Sequence, residues 1–312
     1  MTAAFALLAF AAGVLLVIAA TEWLLHGLVG IAAAARVAPF VASVILSGME
    51  VENIAVGLAA GQRGSSDVAL GTAFGGAIFL LTMALGVGAL IAPLRVDLPR
   101  SIVLLIPASA LLAGLPVLFG ETPRWTGLVL LGAFGLAIVH IVRTSRGHDF
   151  VDDAPLRAAN ERPRPLWRAI ALTFAGIAVV AAGGELVAVG ADGLITAFGL
   201  TAGLVGMIVT PAAIEAEEII RQALPARRGY ADVSAGNAVG TVLYFLLFNL
   251  GLVALLTPVL VPDQVRWLDW PALLIASAVA ASMLLRGRVG RAEGIILTAS
   301  GVVYAVIHVF VG

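Results

Sequence analysis

The stretch GMEVENIAVGLAAGQRGSSDVALGTAFGGAIFLLTMALGVGALIAP (residues 48–93) decides the fold, because the chain carries a second version of it, AIEAEEIIRQALPARRGYADVSAGNAVGTVLYFLLFNLGLVALLTP (213–258). A displacement of 165 positions, without a gap, places Glu50 on Glu215, Glu52 on Glu217, Gly64 on Gly229, Asp67 on Asp232, Gly71 on Gly236, Gly75 on Gly240 and Pro93 on Pro258. Over 46–93, 16 of 48 positions are identical, which marks an internal repeat. With a two-residue shift the match reaches upstream, setting Glu22 on Glu185 and Gly27 on Gly190.

The repeat lies in a chain built for lipid. Of 312 residues, 61% are hydrophobic and 12% charged, and the mean hydropathy is +1.07. Apolar runs long enough to cross a bilayer recur at about 4–34, 38–60, 68–91, 101–118, 126–142, 168–197, 201–223, 233–258, 270–285 and 293–311. The reading is an all-α polytopic membrane protein of about ten transmembrane helices. The first run has no basic flank and no good cleavage site, so it reads as a span rather than a signal peptide. With no cysteine, disulfide and thiol chemistry are excluded.

Five spans precede the second copy, which therefore enters the membrane from the opposite side. The division is 1–142 as a first five-helix repeat, 143–167 as a polar linker and 168–312 as a second, inverted repeat. Inverted repeats are the architecture of secondary transporters, with the substrate site at mid-membrane between the halves. All eighteen basic residues are arginine, and with alternating loops fifteen fall on one side and only Arg63, Arg124 and Arg266 on the other. The positive-inside rule then predicts a multi-pass cell (inner) membrane protein with a cytoplasmic linker and both termini outside.

Carboxylates inside such spans need a reason, since each costs on the order of 2.5–3.5 kcal/mol even on a lenient insertion scale. Glu50, Glu52, Glu215, Glu217 and Glu218 form a doubled cluster and predict a cation site at the repeat interface. Protonation, pairing with arginine or access to a water-filled vestibule are the structural alternatives. Glu50 and Asn53, like Glu215 and Glu218, are three apart and share a helix face, whereas Glu52 and Glu217 point well away from Glu50 and Glu215. Gly48 and Pro211 give each helix a place to bend. Arg221 lies three residues after Glu218 and four after Glu217, within reach of either, although the favoured expectation is that it snorkels to the cytoplasmic surface with Arg227 and Arg228. Glu22 and Glu185 read as partners outside the site or residues at its mouth, and Asp67 and Asp232 as helix N-caps. The pairs Gly71/Gly75 and Gly236/Gly240 read as helix-packing faces.

The blocks 20–93 and 184–258 resemble the two α-repeats of the calcium/cation antiporter superfamily, which includes sodium/calcium and proton/calcium exchangers. "QRGSSDVALGTAFGG" (62–76) and "ARRGYADVSAGNAVGT" (226–241) are similar to its basic-Gly turn and following helix. The family hexapeptide G-T-S-x-P-E is replaced by "GMEVEN" (48–53) and "AIEAEE" (213–218). The family's metal-binding Glu thus falls on Asn53 and Glu218, and its Ser on Glu50 and Glu215. Its Gly-Asn pair becomes Gly71–Thr72 in one half and stays Gly236–Asn237 in the other.

The resemblance implies secondary cation antiport and no cofactor; the metal-binding residues expected are Glu50, Asn53, Glu215, Glu218, Glu52 and Glu217. Several carboxylates favour a divalent, Ca²⁺-like ion as substrate, and crowded acids favour protons as the counter-ion. Inorganic cations, protons and lipid are the expected partners, with no nucleic acid. Sodium coupling, a non-transporting or sensory relative and a membrane-embedded enzyme are the alternatives; no H-E-x-x-H motif or activated nucleophile supports the last.

Overall fold

The computed structural model describes residues 3–35, 38–46, 51–62, 64, 66–146, 165–198 and 216–311. It is helical almost throughout, as lipid requires of a backbone that must satisfy its own N–H and C=O groups. The first half runs α1 (Ala3–Ala35), α2 (Pro39–Leu46), α3 (Val51–Gln62), α4 (Ser66–Phe79), a π-helical turn (Leu80–Ala84), α5 (Leu85–Ile91), α6 (Arg100–Val103), α7 (Leu105–Leu112), α8 (Gly114–Phe119) and α9 (Arg124–Thr144). The second runs α10 (Leu166–Phe198), α11 (Ala216–Arg227), α12 (Ala231–Leu243), a π-helical turn (Tyr244–Asn249), α13 (Leu250–Leu256), another π-helical turn (Val265–Asp269), α14 (Trp270–Leu284) and α15 (Arg291–Val311).

The same offset that aligns the sequences aligns α3 with α11, α4 with α12 and α5 with α13, and a further shift of two residues aligns α9 with α15. The π-helical turns at 80–84 and 244–249 also correspond. Two short antiparallel pairings repeat the relation at opposite ends of the chain's halves. Strands β1 (Leu94–Arg95) and β2 (Arg288–Val289) pair Leu94 with Val289 and Arg95 with Arg288, while Glu121 bridges Leu260 at the equivalent place. The halves interleave. Helix α3 packs on α4 and on α13 of the other half, and α11 packs on α12 and on α5.

The ten expected spans are found in part among the described residues. Among the described residues, seven helices are long and apolar enough to cross a membrane: 3–35, 69–91, 100–119, 124–144, 166–183, 231–256 and 265–284. Of the expected span 38–60, α2 and α3 are described and 47–50 lie outside the described residues. Of 201–223 only 216 onward is described. The expected linker 143–167 falls where α9 ends at Thr144 and α10 begins at Leu166, with 147–164 outside the described residues.

Small residues set the closest approaches. Helices α1 and α10, each 33 residues, lie antiparallel along their length. Gly176 and Gly183 of α10 sit on α1: a Cβ on Gly176 would stand 2.9 Å from the Leu24 nitrogen, and one on Gly183 2.8 Å from Val17 Cγ2. On α12, Gly236 and Gly240 admit the backbone of α2 at Phe40 and Val44. The expected packing face is thus found in the second half; around Gly71 and Gly75 no described residue would meet a Cβ.

Overpacking such a seam costs about 1–3 kcal/mol. Gly176→Ala should lower the thermal unfolding midpoint of the purified protein, whereas Gly132→Ala on α9, where a Cβ meets open space, should leave it unchanged or raise it.

Candidate functional site

The described part of the site is built by α11 and α12 of the second half. The polar run AEEIIRQ (216–222) opens α11 with Glu217 and Glu218 in its first turn. Both are buried, Glu218 completely at 0% exposure, and so are Arg221 and Gln222. The i, i+3 and i, i+4 spacings bring the guanidinium onto both acids. Arg221 Nη1 lies 2.5 Å from Glu218 Oε1 and 3.5 Å from Glu217 Oε1. Arg221 at 6% exposure does not snorkel to the surface; it is a buried member of the cluster.

Helix α12 supplies the remaining donors. Asn237 Nδ2 donates to Glu218 Oε2 at 2.9 Å. In the amide orientation its neighbours satisfy, Gln222 Nε2 donates to the Ser234 carbonyl at 2.9 Å and its Oε1 accepts from Asn237 at 2.8 Å. Ser234 Oγ donates to the Gln222 carbonyl at 2.7 Å. The two helices are therefore stitched by polar contacts where the acids sit. Gly88 on α5 lets α11 close in, since a Cβ there would stand 3.0 Å from Gln222 Cβ.

The first half offers the same positions with neutral groups. Asn53 occupies the place of Glu218, Thr72 that of Asn237 and Val56 that of Arg221. Asn249, from the second half's π-helical turn, donates to the Asn53 carbonyl at 3.5 Å and to Thr72 Oγ1 at 3.3 Å. It is 1% exposed, and its Oδ1 has no hydrogen-bond partner among the described residues.

The six expected ligands thus divide. Glu217, Glu218 and Asn53 are buried; Glu52 lies on α3, its side chain not described; Glu50 and Glu215 fall outside the described residues, as do the bends expected at Gly48 and Pro211. Among the described residues no group of three or more His, Cys, Asp or Glu is placed to hold a metal ion. Glu22 is outside the site, accepting from Arg228 Nε at 2.9 Å and from Arg228 Nη2, and Glu185 is exposed. Asp232 is no N-cap: Tyr230 holds that position, and the Asp232 carboxylate is buried close to the backbone amides of Val233 and Phe40. It thereby ties α12 to the start of α2.

Both halves match one family, described as sodium/calcium exchanger protein, over residues 5–143 and 168–310. The chain belongs to the sodium/calcium exchanger family. Two relatives are each 26% identical. One is CaxA of Alkalimonas amylolytica, whose name carries the word antiporter, over 91% of this chain and 92% of that protein. The other is the inner membrane protein YrbG of Escherichia coli (strain K12), over 84% and 83%. The fold is shared with the sodium-calcium exchanger NCX_Mj soaked with zero Na⁺ and Ca²⁺, at a TM-score of 0.80 and 20% identity over 97% of this chain and 98% of that one. The family is one of transporters, so a membrane-embedded enzyme is set aside.

Sequence reasoning missed Asn249, Gln222 and Ser234. Asn249 had a signal, as the single polar residue of FLLFNLGLVALL (245–256); a lone amide in such a run has to find a partner. Gln222 had none, since its role depends on a cross-helix contact.

Asn237→Ala should cost about 1.5–3 kcal/mol by removing a hydrogen bond to a charged, buried acceptor, read as a lowered unfolding midpoint. Thr72→Ala in the equivalent neutral position should cost no more than about 1 kcal/mol.

Proposed function

We propose that the chain is a secondary cation antiporter, exchanging a divalent, Ca²⁺-like ion for protons through the carboxylate cluster where the halves interleave. The observation that carries this reading is the contact of Arg221 with Glu218 and Glu217. An exchanger must never leave its acids both buried and bare, because an uncompensated buried charge costs several kcal/mol. A guanidinium held within the cluster supplies the charge of an absent cation. Glu217, one residue before Glu218 and 3.5 Å from Nη1, offers Arg221 a second resting place when a cation takes Glu218.

In this scheme Glu218 is a principal ligand and Asn53 a neutral one, joined by Glu50 and Glu215, each three residues earlier in its repeat; Glu52 and Glu217 serve the access path and the guanidinium. Asn237 orients Glu218 through the 2.9 Å bond. Two carboxylates against one guanidinium leave one net negative charge in the described part, so a dication needs a further acid, the part given to Glu50 and Glu215. Protons serve as the counter-ion because crowded carboxylates cannot all stay ionised when the cation leaves. Arrangement of the membrane segments follows the arginine bias, with both termini outside and the linker cytoplasmic.

Sodium coupling is the second reading, favoured by the family's description. Proteoliposomes separate the two: Ca²⁺ uptake driven by an outward proton gradient supports the first, and uptake that needs an outward Na⁺ gradient supports the second. Glu218→Gln, Glu215→Gln and Glu50→Gln should each abolish exchange while the protein stays folded; normal transport by any one removes that residue from the site. Arg221→Gln should tighten apparent cation affinity and change the pH profile of exchange, and unchanged values of both would reduce Arg221 to a structural ion-pair partner.

A further inference from the structure

A separate basic pocket lies away from the carboxylates, at the end of the molecule where β1 meets β2. The cavity, of about 470 Å³, is lined by Arg95, Arg288 and Arg291 together with Gly290 and Glu293. Leu94 and Val289 turn inward and are buried, which leaves Arg95 and Arg288 exposed directly opposite one another. Like charges facing across a strand pair are destabilising. Arg291 adds a third guanidinium at the start of α15. The acid in the pocket, Glu293, is engaged in accepting from the Gly290 amide at 3.1 Å. In segments 93–100 and 286–293 five arginines stand against two acids.

The fold does not impose this arrangement. The equivalent pairing in the other half sets Glu121 against Leu260, so the positions of Arg288 and Arg95 are held there by an acid and an apolar residue. Exposed apolar side chains flank the pocket in sequence: Ile91, Leu285, Ile295 and Ile296 are 42–61% exposed.

We propose that Arg95, Arg288 and Arg291 form a binding site for a phosphate-bearing anion at the membrane surface, on the arginine-rich side of the protein. The opposed guanidiniums become favourable when one phosphate lies between them, since arginine forks match phosphate oxygens bidentately. A phospholipid headgroup and free phosphate share this chemistry, and a lipid would in addition lay its chains along Ile295 and Ile296.

The test uses the purified full-length protein, with native mass spectrometry in mixed micelles of phosphatidylglycerol or phosphatidylcholine and, separately, thermal unfolding with inorganic phosphate. Phosphatidylglycerol should be retained in preference to phosphatidylcholine, with affinity falling about fivefold for each arginine replaced in Arg95→Gln/Arg288→Gln. The single variant Arg291→Gln gives an independent reading, and Arg146→Gln, an exposed arginine of the same side outside the pocket, should change nothing. Stabilisation by phosphate alone, lost in the same variants, assigns the site to a soluble anion. The proposal is overturned if neither probe depends on these arginines, or if Arg146→Gln weakens binding as much as they do.

Discussion

A carboxylate that water cannot reach must take its partners from the protein, and Glu218 does so. One oxygen meets Arg221 and the other Asn237. That requirement fixes the rotation of α11, because only one face of the helix can present Glu217, Glu218, Arg221 and Gln222 to α12 and α5 together. It also fixes the spacing of α12, which must put Ser234 and Asn237 one turn apart to meet Gln222 and Glu218. The polar stitch then positions the interleaved core, in which Phe74, Ile78, Leu80 and Leu81 of one half pack with Val242, Phe245 and Leu250 of the other.

The two halves are equal as scaffolds and unequal as chemistry. Helix for helix, the π-helical turns and the short pairings repeat across the pseudo-twofold relation, yet the ion pair has no counterpart: Val56 stands for Arg221 and Asn53 for Glu218. Conversely, Asn249 reaches from the second half into the first, while its equivalent, Ala84, has no side chain with which to return the contact. Symmetry supplies the geometry of a site between halves, and the departures from symmetry set its charge.

Much of this was legible in the residues. The gapless repeat and the apolar runs predict inverted helical halves, because hydrophobic length and register survive in sequence whatever the packing. The spacing of Glu217, Glu218 and Arg221 places them on adjoining turns of one helix, and the buried contact follows. What sequence could not decide was whether Arg221 turns inward or outward, since both rotamers satisfy the helix and only the donors and acceptors of α12 separate them. Asp232 misled for a similar reason. An acid after a turn glycine reads as an N-cap, but Tyr230 caps α12 and the carboxylate lies close to the amide of Phe40, 192 positions upstream. Seven of the expected spans stand as long apolar helices among the described residues, and α15 covers the expected 293–311.

The length of α1 and α10 has its own consequence. At 1.5 Å per residue, 33 residues measure about 50 Å, against a hydrocarbon layer of about 30 Å. Even a tilt of about 40°, at the upper end for membrane helices, leaves each with a projection of roughly 38 Å, so both ends rise past the acyl chains. The glycine seam joins the two so closely that neither can change its inclination alone. A thinner bilayer must tip the pair as a single beam, and because α1 also packs on α2 and α11, the thickness of the surrounding lipid is transmitted mechanically to the helix that carries Glu218.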